Sequence, residues 1–182
     1  GGMLLDWGVH LIDQIMYMVP EKVVNVFARL HKVKTPDVDD YFKMVMTFES
    51  GLNAQIEVGT YCLKPLPRWY VNGDLGSAYI NGWDCTGEVL HAKVLDEWSH
   101  EVVQTAAGPT RTMAPRTKEQ VEVIPLPEIT TDWADYYNNL LAVLDGKENE
   151  LLIKHHEVMR VMKVMEACFE SSETGKVIEV NI

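Results

Sequence analysis

The chain has 182 residues, 47% hydrophobic and 24% charged, which suffices for one compact domain with its own core and falls short of two ordinary ones. A formal net charge of −11 and a pI near 4.9 set it against phosphate backbones and anionic surfaces, so nucleic acid and membrane drop out as primary partners. No run of about 18 apolar residues occurs, so no bilayer-spanning helix is predicted.

The chain opens on Gly1-Gly2-Met3-Leu4-Leu5 with no basic leader, which predicts no signal peptide. It opens inside an apolar helical segment, so we expect upstream sequence in a parent protein. Cys62, Cys85 and Cys168 are odd in number and far apart, with no Cys-x-x-Cys pair. That spacing predicts reduced thiols in a cytoplasmic protein rather than a disulfide framework or a zinc ribbon.

Periodicity predicts a helix over 3–19. Leu5, Val9, Ile12 and Met16 share one face, and Leu4, Leu11, Ile15 and Met18 cover much of the rest. Such a helix is expected to be buried. Asp6, His10, Asp13 and Tyr17 interrupt it along one edge, at spacings of four, three and four. Pro20 stops the helix.

The pattern then changes to period two. Val24, Val26, Ala28 and Leu30 alternate with polar residues, as do Phe42, Met44, Met46 and Phe48, and then Leu52, Ala54, Ile56 and Val58. This predicts an antiparallel sheet with one apolar face, the other carrying Lys43, Thr47, Asn53, Gln55 and Glu57. A hairpin is predicted over 69–80 around Asn72-Gly73-Asp74-Leu75-Gly76.

Residues 96–118 read as an irregular loop containing Gly108-Pro109 and Ala114-Pro115, with Arg111, Arg116 and Lys118 as possible anion contacts. A strand follows over 121–126. Two helices close the chain: one begins at Asp132 with Trp133, Tyr137, Leu140, Leu141 and Leu144 on one face. The other carries Val158, Val161, Met162, Met165 and Phe169, before a short strand over 177–180. The expected fold class is α+β, a two-layer domain over 1–182 with an open, mostly antiparallel sheet and helices on one face.

Chemistry concentrates on the first helix. Asp6 and His10 lie one turn apart; an imidazole titrates near neutrality, and a neighbouring carboxylate can orient it or hold a substrate hydroxyl. Asp13 can steady the imidazole or contact substrate. A histidine beside aspartates is also a common structural arrangement; here the polar edge interrupts an otherwise apolar helix, which points to a cleft or an interface. For a metal ion only Asp13 offers a third ligand nearby, and His155, His156 and Glu157 point to different helix faces. No metal is expected. Without Gly-x-Gly-x-x-Gly after a strand, no dinucleotide-binding residues are expected either. Arg68, Trp69 and Tyr70 are secondary candidates for substrate contact, with Trp83 and His91 behind them.

Gly1-Gly2-Met3-Leu4-Leu5-Asp6-Trp7-Gly8-Val9-His10-Leu11-Ile12-Asp13 resembles the signature helix of the Gfo/Idh/MocA oxidoreductases, which are similar to glucose–fructose oxidoreductase and inositol dehydrogenase. Asp37-Val38-Asp39-Asp40-Tyr41-Phe42 resembles the family's strand start, 67–77 its glycine-bracketed hairpin, and Ser171-Ser172-Glu173-Thr174-Gly175-Lys176 its last segment. The resemblance implies the C-terminal, substrate-side domain of an enzyme whose N-terminal Rossmann domain is absent here. It implies His10 as general acid/base, Asp6 as its partner at the substrate hydroxyl, and NAD or NADP in the full-length parent, with none bound tightly by this fragment. Glu21-Lys22-Val23 is not the family's Glu-Lys-Pro motif and stands in the wrong place. The implied substrate is a sugar, polyol or cyclitol, and the implied assembly a homo-oligomer through the sheet face. The competing reading is a stand-alone, non-catalytic module for ligand binding or oligomerisation.

Overall fold

A computed structural model describes residues 1–93, 102–110 and 118–182. A π-helical turn, Leu4–Gly8, runs into α1 (Val9–Met18). Three long strands follow, β1 (Val23–His31), β2 (Tyr41–Phe48) and β3 (Asn53–Gly59). Shorter ones come next: β4 (Trp69–Asn72), β5 (Gly76–Ile80), β6 (Gly87–Ala92), β7 (Val103–Thr105), β8 (Gly108–Thr110) and β9 (Val121–Pro125). The chain closes with α2 (Ala134–Leu144), α3 (His155–Thr174) and β10 (Ile178–Glu179). Arg111, Arg116 and Ala114-Pro115 lie outside the described residues. Two compact units result, Gly1–Leu63 with Asp132–Ile182, and Lys64–Thr131.

The first unit is built on an antiparallel sheet of order β10-β1-β2-β3. Antiparallel pairing puts facing residues on one side, so Ala28 and Met44, Leu30 and Phe42, and Met44 and Ile56 share the inner face. That face is the core: Val23, Val26, Ala28, Phe42, Met44 and Met46 are fully buried, joined by Leu4, Ile12, Val164 and Cys168 from the helices. Each large side chain buried in this way contributes about 1.5–3 kcal/mol. α3 packs along β1 and against α1, and α1 reaches β3. The α+β, helix-on-sheet architecture is therefore as expected.

The parity of β1 differs from the simple alternation. The register shifts between Val23 and Asn25, and this bulge places Val23, rather than Val24, in the core. The helices also differ. α1 buries Ile12, Ile15 and Met16, with Leu4 and Gly8 from the turn before it, whereas Leu5, Trp7 and Met18 are exposed. In α2 the expected apolar face points outward: Trp133 is 89% exposed, and Tyr137, Leu141 and Leu144 are exposed too. What anchors α2 is Asn139, which accepts the Leu152 N–H at 2.8 Å and donates to the Glu150 carbonyl at 3.2 Å. In α3, Val161 and Met165 are buried, but Val158, Met162 and Phe169 are exposed.

The second unit contains an antiparallel sheet of order β4-β5-β6-β9 and the small β7–β8 hairpin. The predicted 69–80 hairpin forms, closed by the Gly73 N–H on the Gly76 carbonyl at 2.9 Å. Part of the stretch read as irregular is ordered, since Gly108-Pro109 begins β8 and Lys118 begins a 3-10 turn. Strands of three residues, like β7 and β8, are too short to carry a period-two signal.

Candidate active-site edge

Asp6 lies in the π-helical turn, and His10, Asp13 and Tyr17 follow on α1; all four side chains are exposed. The turn is defined by the Val9 N–H donating to the Leu4 carbonyl, five residues back. Such one-turn π segments recur at functional sites, because they re-aim side chains on a helix that otherwise continues. Trp7 sits between the two candidates, its ring edge-on to His10 at 6.4 Å and 67°. The opposite side of this segment is fixed. Gly8 is buried, and a Cβ on it would lie 2.9 Å from Leu4 Cδ1 and 3.1 Å from Phe42 Cζ. Glycine lets the helix approach the sheet this closely.

The start of the helix is held from a distance. The Met3 N–H donates to the Asp39 carbonyl at 2.9 Å, and the Leu4 N–H to Asp39 Oδ2 at 2.8 Å. Gly2 adopts φ +109°, and a Cβ there would collide with the Asp39 carboxylate. Asp40 holds the loop before β2: Val33, Lys34 and Thr35 donate backbone N–H groups to it at 2.7, 2.7 and 2.8 Å. Burial pushes the Asp40 carboxyl upward, but the donors from Thr35, Val33 and Lys34 outweigh it and hold the group well below the usual carboxylate range. Sequence reasoning took Asp39 and Asp40 only as part of a family pattern. No local pattern marks the role of Asp39, whose carboxylate is taken up by an amide 35 positions away.

An open groove of about 500 Å³, lined by Leu30, Lys32, Asp37, Asp39 and Phe169 among others, is lined by neither Asp6 nor His10. Arg68, Trp69 and Tyr70 belong to the second unit. There Arg68 stacks over the Trp83 ring at 4.0 Å, and Tyr70 meets Tyr79 edge-on across the β4–β5 pair. Trp69 and Tyr70 are neighbours on a strand and project to opposite faces, so a ligand on one face of β4 meets one of them.

Among the described residues no group of three His, Cys, Asp or Glu side chains is arranged to hold a metal ion. The sheets described are antiparallel throughout. A dinucleotide cradle needs a parallel βαβ unit with a glycine-rich first turn, so these residues do not fit that group. No described helix is long and apolar enough to cross a membrane.

Comparison with known proteins agrees with this architecture. Residues 1–79 match the profile of the GFO/IDH/MocA C-terminal domain. The chain is 40% identical to an NAD-binding protein from Listeria innocua of known crystal structure, with a TM-score of 0.91, covering 99% of this chain and 52% of that one. It is 25% identical to the NADP+-dependent scyllo-inositol 2-dehydrogenase IolW of Bacillus subtilis, over 97% of this chain and 49% of the enzyme. It is 23% identical to an uncharacterized oxidoreductase of Schizosaccharomyces pombe, over 98% of this chain and 52% of that protein. The chain thus spans about half the length of the curated relatives it matches. With the glycine pair, the Asp6–His10 edge and the helix-covered antiparallel sheet in place, residues 1–79 belong to the GFO/IDH/MocA C-terminal domain family, and the whole chain shares the fold of that NAD-binding protein.

Proposed function

We propose that this chain is the substrate-side half of an NAD(P)-dependent oxidoreductase acting on a hydroxyl of a sugar, polyol or cyclitol. The observation that carries the reading is the exposed edge of Asp6, His10 and Asp13 on a helix whose other side is locked into the core. His10 takes the hydroxyl proton during oxidation and returns it during reduction. Asp6 accepts the imidazole's other N–H and so aims the ring at that hydroxyl, and Asp13 steadies the edge or binds a second hydroxyl. A nicotinamide bound by the rest of the longer parent would supply the hydride acceptor, while the residues of this chain hold the substrate and its proton. The NAD-binding and NADP+-dependent relatives support that division of labour. The 182 residues alone accordingly do not turn substrate over. Cysteines not joined in disulfides, two of them exposed, go with a reducing compartment such as the cytoplasm.

The polar side of the first sheet supports a second role, association of like subunits. Its rows are Asn25, Thr47 and Asn53, then Phe27, Val45 and Gln55, then Arg29, Lys43 and Glu57. A central pair of apolar residues, Phe27 and Val45, flanked by polar ones suits contact with a second copy.

The test is to assay the longer parent protein against sugars, polyols and cyclitols with NAD+ and NADP+, following nicotinamide absorbance. We expect His10→Ala to lower kcat by about 100- to 10,000-fold, the range for loss of a general acid/base. Because His10 is exposed, its stability should change by less than about 0.5 kcal/mol. Turnover at the wild-type rate in His10→Ala sinks the proposal and leaves the non-catalytic module as the reading.

A further inference from the structure

Asp6 and His10 are exposed at their tips, so their placement must come from the backbone that carries them. Catalytic groups need that placement held to about half an ångström. The π-helical turn bearing Asp6 has no side-chain cap of its own: the residue before it is Met3, which makes no capping hydrogen bond. The first N–H groups of a helix need acceptors, and an anion there is further favoured by the helix dipole.

We propose that Asp39 is a positioning residue for the Asp6–His10 edge, an inference that rests on the function proposed above. It is 6% exposed and lies 35 positions from the Leu4 N–H that its carboxylate accepts. Its carbonyl takes the Met3 N–H. One residue just before β2 thereby supplies both the side-chain and the main-chain acceptor for the first turn. Gly2 completes the arrangement, because only a residue without a Cβ leaves room for that carboxylate. The Gly2 carbonyl in turn accepts the Asp6 N–H at 3.0 Å. Asp39 therefore holds the N–H groups of Met3 and Leu4 in the same turn in which the Gly2 carbonyl holds that of Asp6. From Asp6 the π turn sets the rotation at which His10 enters α1. Leu4 and Gly8 pin the inward side against Phe42, which leaves the first turn's rotation to Asp39.

The test compares wild type, Asp39→Ala and Asp39→Asn, with Gly2→Ala as the variant that attacks the same contact from the other side. In the 182-residue protein, amide hydrogen exchange should rise about tenfold or more across residues 3–10, while amides of β2 and β3 change less than about twofold. Asp39→Asn, which keeps an acceptor, should recover most of the protection. In the longer oxidoreductase, Asp39→Ala should lower kcat by about 10- to 100-fold, with KM changed less than about threefold. Unchanged exchange across residues 3–10 overturns the proposal. So does a rise shared equally by β2 and β3, which makes Asp39 a general brace of the fold. Wild-type turnover in His10→Ala strikes the functional reading instead, and the exchange data still decide whether Asp39 holds this turn.

Discussion

The Ser171 hydroxyl accepts the Ala28 N–H at 2.9 Å and donates to the Lys176 carbonyl at 2.6 Å, joining residues 143 positions apart. β10 pairs with β1 only at Asn25 and Val26, so the edge of β1 beyond them needs other partners. Ser171 supplies one, and Ser172 supplies the next by accepting the Leu30 N–H at 3.0 Å. A helix thus finishes what a two-residue strand begins. Ser171 is fully buried, so Ser171→Ala leaves a buried N–H and a carbonyl unsatisfied and should cost about 1–3 kcal/mol. Urea unfolding checks this: a midpoint equal to wild type contradicts it.

Gly8 and Gly51 separate crowding from backbone strain. Alanine at position 8 places a Cβ 3.1 Å from Phe42 Cζ and 2.9 Å from Leu4 Cδ1, both in fully buried side chains. Overpacking of that kind costs about 1–3 kcal/mol and should push α1 away from the sheet. At position 51, φ is +89° but nothing lies within 4 Å of the added Cβ, so Gly51→Ala should cost about 1–2 kcal/mol through the backbone alone. The readout that tells them apart is near-ultraviolet circular dichroism, where Gly8→Ala should alter the Trp7 environment and Gly51→Ala should not.

Asp40 makes stability fall with acid. Its folded-state pKa is held below its unfolded value, chiefly against burial, by donors from Thr35, Val33 and Lys34. Its contribution is therefore complete above the unfolded pKa and is lost as pH drops below about 4. Glu57 acts in the same sense, its pKa lowered first by Lys43 at 2.8 Å and then by the Tyr41 hydroxyl at 2.7 Å. Asp40→Asn should lower stability at neutral pH and flatten its decline between about pH 4 and pH 2. Denaturation midpoints across that range test it; an unchanged slope excludes Asp40 as a source.

The same contrast between local and distant partners explains what was legible in the chain. Phe42, Met44, Met46 and Phe48 announce their strand because one face of a sheet needs an apolar residue at every second position. Asp6, His10 and Asp13 stand out because they interrupt an apolar helix. The β1 bulge is invisible, since nothing at Val23 or Val24 marks an extra residue. The π turn is equally silent. The outward face of α2 misleads for a different reason: periodicity reveals that Trp133, Tyr137 and Leu141 share a stripe, without saying what the stripe faces. Asp39 is the plainest case, because its role depends on an amide 35 positions away.

Val45 tests the proposed association of subunits. It occupies the middle of the row Phe27, Val45 and Gln55 on the face away from α1 and α3, and it is half-buried. The rows beside it are not uniformly charged. Glu57 is bound by Lys43 and Tyr41 within the sheet, so these two opposite charges are already matched within one copy. Arg29 lies over the Phe27 ring at 5.6 Å, so the aromatic end of that row already has a cation in contact with it. Val45→Lys places an ammonium at the centre of this surface and, in a symmetric dimer, opposite its own copy. Desolvating like charges there should weaken association by at least about tenfold. Sedimentation should find wild type at a multiple of 20.7 kDa and Val45→Lys shifted toward one subunit, with its thermal transition retained. Wild type sedimenting as a single 20.7 kDa species would remove the sheet face as a contact between copies and leave the Asp6–His10 edge as the function this domain carries.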